Sequence, residues 1–206
     1  MRPAGGITTG SRTDRRGSLL ELSGVALGFA VALAAGVAHP ADRLSVTAVP
    51  DGDAVAIEAR AVLDVPLTVV WDTLTDYEHV ARFIPGIASS RVRRRVGSVV
   101  TVEQSGRVRF LFLSYPVDVV LEAEEHFPDA IHARSVAGNV ALSGGGYRLA
   151  RDPTGGGIEL RWSGRVVPSF WIPMFISVPA LRGTLEEQFR AMVAEIERRA
   201  AAAHGR

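Results

Sequence analysis

The last quarter of the chain carries a single apolar stripe. Leu181, Leu185, Phe189, Met192 and Ile196 recur at intervals of four, four, three and four, the spacing of one face of an α-helix. Glu186, Glu187, Arg190, Glu195, Glu197, Arg198 and Arg199 occupy its other faces. A helix that is apolar along one side only must lay that side on an apolar partner. The remainder of the chain after residue 53 reads mostly as strands, so the partner is a sheet.

The first strand shows the pattern most clearly. Between residues 53 and 64, Val55, Ile57, Ala59, Ala61 and Leu63 share one parity and Glu58 the other, the period of a half-buried strand. Pro66 then opens a helix over residues 66–74, with Leu67, Val70 and Leu74 on one side. Asp76 is placed to cap a second short helix over 77–83, which Pro85-Gly86 ends. Six further strand-like runs follow at 88–96, 98–108, 117–126, 130–136, 145–150 and 158–167. Gly97, Phe127-Pro128-Asp129, Gly138-Asn139 and the glycine-rich 152–157 separate them, and such short connections favour antiparallel hairpins. The glycine runs 144–146 and 155–157 lack the context of a phosphate loop and read as bulges or turns.

A strand, two short helices, six strands and a long helix resemble the helix-grip fold of the START/polyketide cyclase (SRPBCC) superfamily, in its coenzyme Q-binding and polyketide cyclase-like branch. The resemblance rests on residues 65–87, where Pro66, Val70-Trp71, Leu74, Asp76-Tyr77-Glu78, Phe83, Pro85 and Ile87 stand as in the family's opening segment. Val136-Ala137-Gly138, Gly144-Gly145-Gly146-Tyr147 and Leu185-Glu186-Glu187-Gln188-Phe189 add to it. It implies an α+β domain over 53–202, with a curved antiparallel sheet of six to seven strands and a C-terminal helix over an apolar cavity. It also implies a hydrophobic small-molecule ligand of lipid, quinone or isoprenoid type. The alternatives within the family are a cyclase or dehydratase and a protein-interaction module.

Ahead of that domain, Arg2, Arg12, Arg15 and Arg16 precede a stretch over 22–41 free of Asp, Glu, Lys and Arg. This has the form of an export signal. Gly36-Val37-Ala38 offers a cleavage site after Ala38, giving a signal peptide over 1–38, a linker over 39–52 and a periplasmic or secreted product. Arg15-Arg16 partly matches a twin-arginine signal. An uncleaved inner-membrane anchor is the alternative, although Gly24, Gly28, Gly36 and Pro40 suit it poorly.

Composition narrows the chemistry. A net charge of +1 gives no reason to expect a nucleic-acid partner, and the absence of Cys excludes thiolate nucleophiles and Cys-based zinc sites. No zincin, nucleophile-elbow or Walker motif is present, so no catalytic residue, metal or cofactor is assigned. Candidate cavity residues are the aromatics Tyr77, Phe83, Phe112, Tyr115, Tyr147, Trp162, Trp171 and Phe175, since such groups offer large contact area with few rotors. The apolar, proline-bounded run Phe170, Trp171, Ile172, Pro173, Met174, Phe175 and Ile176 is placed to touch a membrane surface, or else to pack beneath the closing helix. Arg91, Arg93, Arg94 and Arg95 read as a solvated strand face or an anion contact. Val119, Leu121 and Ala123 are the inward parity of their strand, which leaves Glu122 and Glu124 outside.

Overall fold

A computed structural model describes residues 44–110, 113–139, 141–153, 155–167 and 174–205. Eight strands form one antiparallel sheet: β1 (Leu44–Asp51), β2 (Ala54–Leu63), β3 (Ile87–Val96), β4 (Val99–Phe110), β5 (Leu113–His126), β6 (Ala130–Gly138), β7 (Ala141–Arg151) and β8 (Ile158–Val167). Their order across the sheet is β1-β2-β8-β7-β6-β5-β4-β3. The hairpins β3 to β8 form a meander, and β2 closes onto β8 with β1 outside it. Helix α1 (Leu67–Leu74) follows β2, and α2 (Met174–His204) runs 31 residues at the end of the chain.

The helix-grip architecture is therefore present, with eight strands where the sequence suggests six or seven. The additional strand is β1, within the segment read as linker. It pairs along its whole length with β2, from Leu44 opposite Ala61 to Asp51 opposite Ala54. As an edge strand it buries only Val46 fully, so its alternation is faint in the sequence, and Pro50 is tolerated there. The short helix expected over 77–83 reduces to one 3-10 turn, Val80–Arg82. Asp76 contributes a side-chain bond to His79 Nδ1 at 2.6 Å rather than capping backbone amides.

Register determines which side chains meet α2. Ala59 lies opposite Trp162, Trp162 opposite Tyr147 and Tyr147 opposite Ile131, so one parity from each strand lines the concave face. Val55, Ile57, Ala59, Ala61 and Leu63 are all buried, as the period-two reading of β2 requires. Phe189, Met192 and Ile196 of α2 join them in one core cluster with Val70, Trp71 and Leu74 of α1. Leu181 and Leu185 remain half-buried. The stripe thus divides into three rungs that fill the core at one end of the grip and two that do not. Phe127 closes the filled end, its ring edge-on to Trp71 at 5.1 Å between centroids.

Charge anchors the helix at that same end. Arg199 donates to Asp76 Oδ2 at 2.8 Å and to Glu195 Oε1 at 2.7 Å, and its guanidinium sits 5.5 Å from the Phe83 ring centroid. Burial pushes the Asp76 carboxyl up, but hydrogen bonds from Arg199 and His79 outweigh it and hold the group below its ordinary value. The bond from Arg198 is the main cause that brings the Glu195 carboxyl down to about 2; burial opposes it and Arg199 reinforces it.

Two predictions follow from this packing. Ile196 is fully buried, so Ile196→Ala is expected to cost roughly 2–5 kcal/mol in urea unfolding. Leu185→Ala should cost less, because its side chain already borders empty space; equal losses would contradict the division of the stripe. Asp76 and Glu195 bind protons less readily in the folded state than in the unfolded chain, so the contribution of Glu195 is complete above its unfolded value of about 4.5 and is lost as pH falls toward 2, and that of Asp76 is lost as pH falls below its unfolded value of about 3.8. Arg199→Leu should reduce that acid-side decline in stability and Arg198→Leu with Arg199→Leu should flatten it; an unchanged slope in the double variant would rule the network out as its source.

Candidate ligand cavity

Where the upper rungs of α2 part from the sheet, a cavity of about 460 Å³ opens. Leu181 and Leu185 form its helical wall; Val108 of β4 with Val117 and Val119 of β5 face them. These strand residues come from the inward parity, since Val108 pairs with Tyr115 and Gly106 with Val117. Among the described inward side chains of this part of the sheet most are glycine or valine, with Gln104 and Tyr115 the larger ones, and such thin cover leaves the space open.

Backbone forms one end of the cavity. Gly86, at φ +84°, presses its carbonyl against β4, where Arg107 N donates to it at 2.8 Å. A Cβ at Gly106 would lie 2.0 Å from that oxygen, so only glycine allows the contact. Gln188 secures the same loop from the helix, its Nε2 donating to the Pro85 carbonyl at 3.0 Å. Asn139 clips β5 to β6 nearby by accepting from Asp118 N at 2.9 Å and donating to Pro116 O at 3.0 Å.

The polar side chains around the cavity are the amides of Gln104, Gln188 and Asn139, the hydroxyls of Ser105, Thr184 and Tyr115, and the guanidinium of Arg107. Among the described lining residues there is no Asp, Glu or His, and the one charged residue is Arg107. Arg107 belongs to the outward parity of β4, and its Nε donates to Ser114 Oγ at 3.0 Å. A second space of about 690 Å³ adjoins across the Gly86 loop, with Arg107 and Glu187 on its walls.

Of the aromatics expected to line a cavity, Tyr115 does so. Tyr77, Phe83, Tyr147 and Trp162 pack against the core cluster at the filled end, while Phe175 stands 79% exposed in the first turn of α2. Phe112 and Trp171 lie outside the described residues, as do 170–173 of the proposed membrane-facing run. The aliphatic lining was legible only as the alternation of β4 and β5.

The filled end holds a separate polar group. Glu125 shares the inward parity of Ala123, which the sequence reading overlooked, and pairs with Arg95 at 2.7 Å. The Tyr77 hydroxyl is buried close by, within the influence of the Glu125 carboxylate. Burial, and after it the negative charge of Glu125, push that phenol well above the usual tyrosine range; burial alone pushes Tyr147 up to about 12. Both phenols therefore hold their protons more firmly than an exposed tyrosine does. Glu122 is bound to Arg134 and Glu124 lies 3.3 Å from His126, on the outer face as their parity requires. His126 and His132 stand edge-on there at 5.3 Å between centroids, and no three groups among the described residues are arranged to hold a metal. Within the basic run, Arg93 is paired with Glu103 and Arg95 with Glu125.

The profile of the family described as polyketide cyclase / dehydrase and lipid transport matches residues 54–201. The chain belongs to that family. The match spans β2 to the end of the α2 core, so it covers every element that shapes the cavity. Human StAR-related lipid transfer protein 5 superposes with a TM-score of 0.65 at 11% identity, over 76% of this chain and 83% of that one. A STAR-related lipid transfer protein from Xanthomonas axonopodis gives 0.60 at 15%, over 76% and 94%. An aromatase/cyclase from Streptomyces sp. R1128 gives 0.59 at 16%, over 72% and 96%. At these identities the likeness is one of fold. The chain matches no curated protein sequence.

Proposed function

We propose that this family member is a noncatalytic binding protein or carrier for a hydrophobic small molecule, acting after export. The observation that carries the reading is the apolar cavity of about 460 Å³ between Leu185 and the β4–β5 hairpin, a size and character suited to a small ligand. The absence of an acid, base or nucleophile pair among its described lining residues favours carriage over turnover. Export is supported by the Arg-rich start and the uncharged stretch over 22–41.

One experiment addresses both parts. Native mass spectrometry of the protein recovered from a periplasmic fraction is expected to give a chain beginning near His39 with an apolar adduct. Val119→Trp, which fills the cavity from β5, should remove the adduct while leaving the fold intact by circular dichroism. Wild-type protein that carries nothing and binds no added lipid or quinone would defeat the carrier reading; an intact N-terminus confined to the cytoplasm would defeat export.

Contact with a membrane surface is part of the same proposal. It is supported by Phe175, exposed at the start of the helix whose next turns border the cavity. Phe175→Ser is expected to reduce flotation of the protein with anionic lipid vesicles several-fold; unchanged flotation would remove this contact from the proposal.

A further inference from the structure

We propose that the cavity and the space adjoining it form one two-part site, which takes the tail of an amphiphile in the first and a zwitterionic head in the second. This rests on the binding reading above and adds the chemical class of ligand. The shared border of the two spaces and the charges on their walls carry it.

The two parts meet along a common rim. About 460 Å³ lies on one side of the Gly86 loop and about 690 Å³ on the other, and Gly86, Ile87, Arg107 and Thr184 line both. Thr184 stands on α2 among residues that border the first part, Leu181 and Leu185, and residues that border the second, Gly183 and Glu187. The first part is walled by leucine and valine, which suits a hydrocarbon tail. In the second, Gly183 carries no side chain, and a Cβ there would meet nothing within 4 Å, so the helix leaves room for a head group.

The second part carries charge of both signs. Arg107 and Glu187 are the charged residues of its described lining, and they do not pair with each other. Among the described residues the Arg107 guanidinium is engaged only through Nε, by the neutral Ser114 hydroxyl, so its terminal nitrogens keep their donors. Glu187 has no side-chain partner among the described residues, whereas the neighbouring Glu186 is taken by Arg190 and Arg182. An anionic head would pair with Arg107 but sit in the repulsive field of Glu187, and a cationic head would meet the reverse. A neutral head would use neither charge. A zwitterion sets its anion on Arg107 and its cation on Glu187, and each wall then repels what the other attracts.

The test follows displacement of the fluorescent probe N-phenyl-1-naphthylamine from the purified protein by competitors that share a dodecyl tail, each below its micellar concentration. They are dodecylphosphocholine, dodecyl phosphate, dodecyltrimethylammonium and dodecyl maltoside. Dodecylphosphocholine is expected to displace the probe at a concentration about fivefold below that needed for any of the others. Arg107→Gln should move the preference to dodecyltrimethylammonium and Glu187→Gln to dodecyl phosphate, with probe binding retained in both variants. Dodecyl phosphate or dodecyl maltoside competing as well as dodecylphosphocholine, or an order unchanged in both variants, would overturn the zwitterionic head and leave the carrier reading standing. Failure of the probe to bind the unsubstituted protein would overturn both.

Discussion

A helix laid on a curved sheet touches it fully over only part of its length, and the remainder of this structure follows from that mismatch. Phe189, Met192 and Ile196 meet the inner face and vanish into the core. Toward the N-terminus, Leu185 and Leu181 pack at the margin of that core and also line the cavity. The same stripe therefore provides stability at one end and a cavity wall at the other. The ion pairs of Arg199 hold the helix at the packed end, and the other end is bordered by strands and a loop and tied by the bonds of Gln188 to the Pro85 carbonyl and of Arg182 to the Val46 carbonyl.

The polar chemistry divides in the same way. Glu125, Arg95 and the Tyr77 hydroxyl occupy the packed end, where bulky groups exclude space for a substrate. The cavity has amides and hydroxyls without a carboxylate or imidazole among its described residues. The carboxylates of the packed end and the cavity thus lie apart, and Arg107 is the one charged residue among the described lining.

Much of this was legible in the residues. The parity of Val55 to Leu63 placed the inner face of β2, and Val119, Leu121 and Ala123 placed that of β5, leaving Glu122 and Glu124 outside. The same parity placed Glu125 inside. The strand β1 escaped notice because an edge strand with one buried residue leaves almost no pattern. The position of the cavity was hidden for a different reason. Large aromatics fill space, so Tyr77, Phe83, Tyr147 and Trp162 belong where the grip is solid. The void lies where Gly106, Val108, Val117 and Val119 leave the concave face thinly covered, and its position depends on sheet curvature, which residue spacing does not encode.

The contact between Gly86 and Gly106 is made by main chain against main chain. No side chain there is available to be enlarged or trimmed, so the dimension of that end of the cavity is set by the fold itself and stays constant while other positions vary. Diversification of ligand preference in such a scaffold must then proceed through the aliphatic positions of β4, β5 and α2. These change depth and shape one methylene at a time, with the Gly86–Gly106 end held to a fixed gauge.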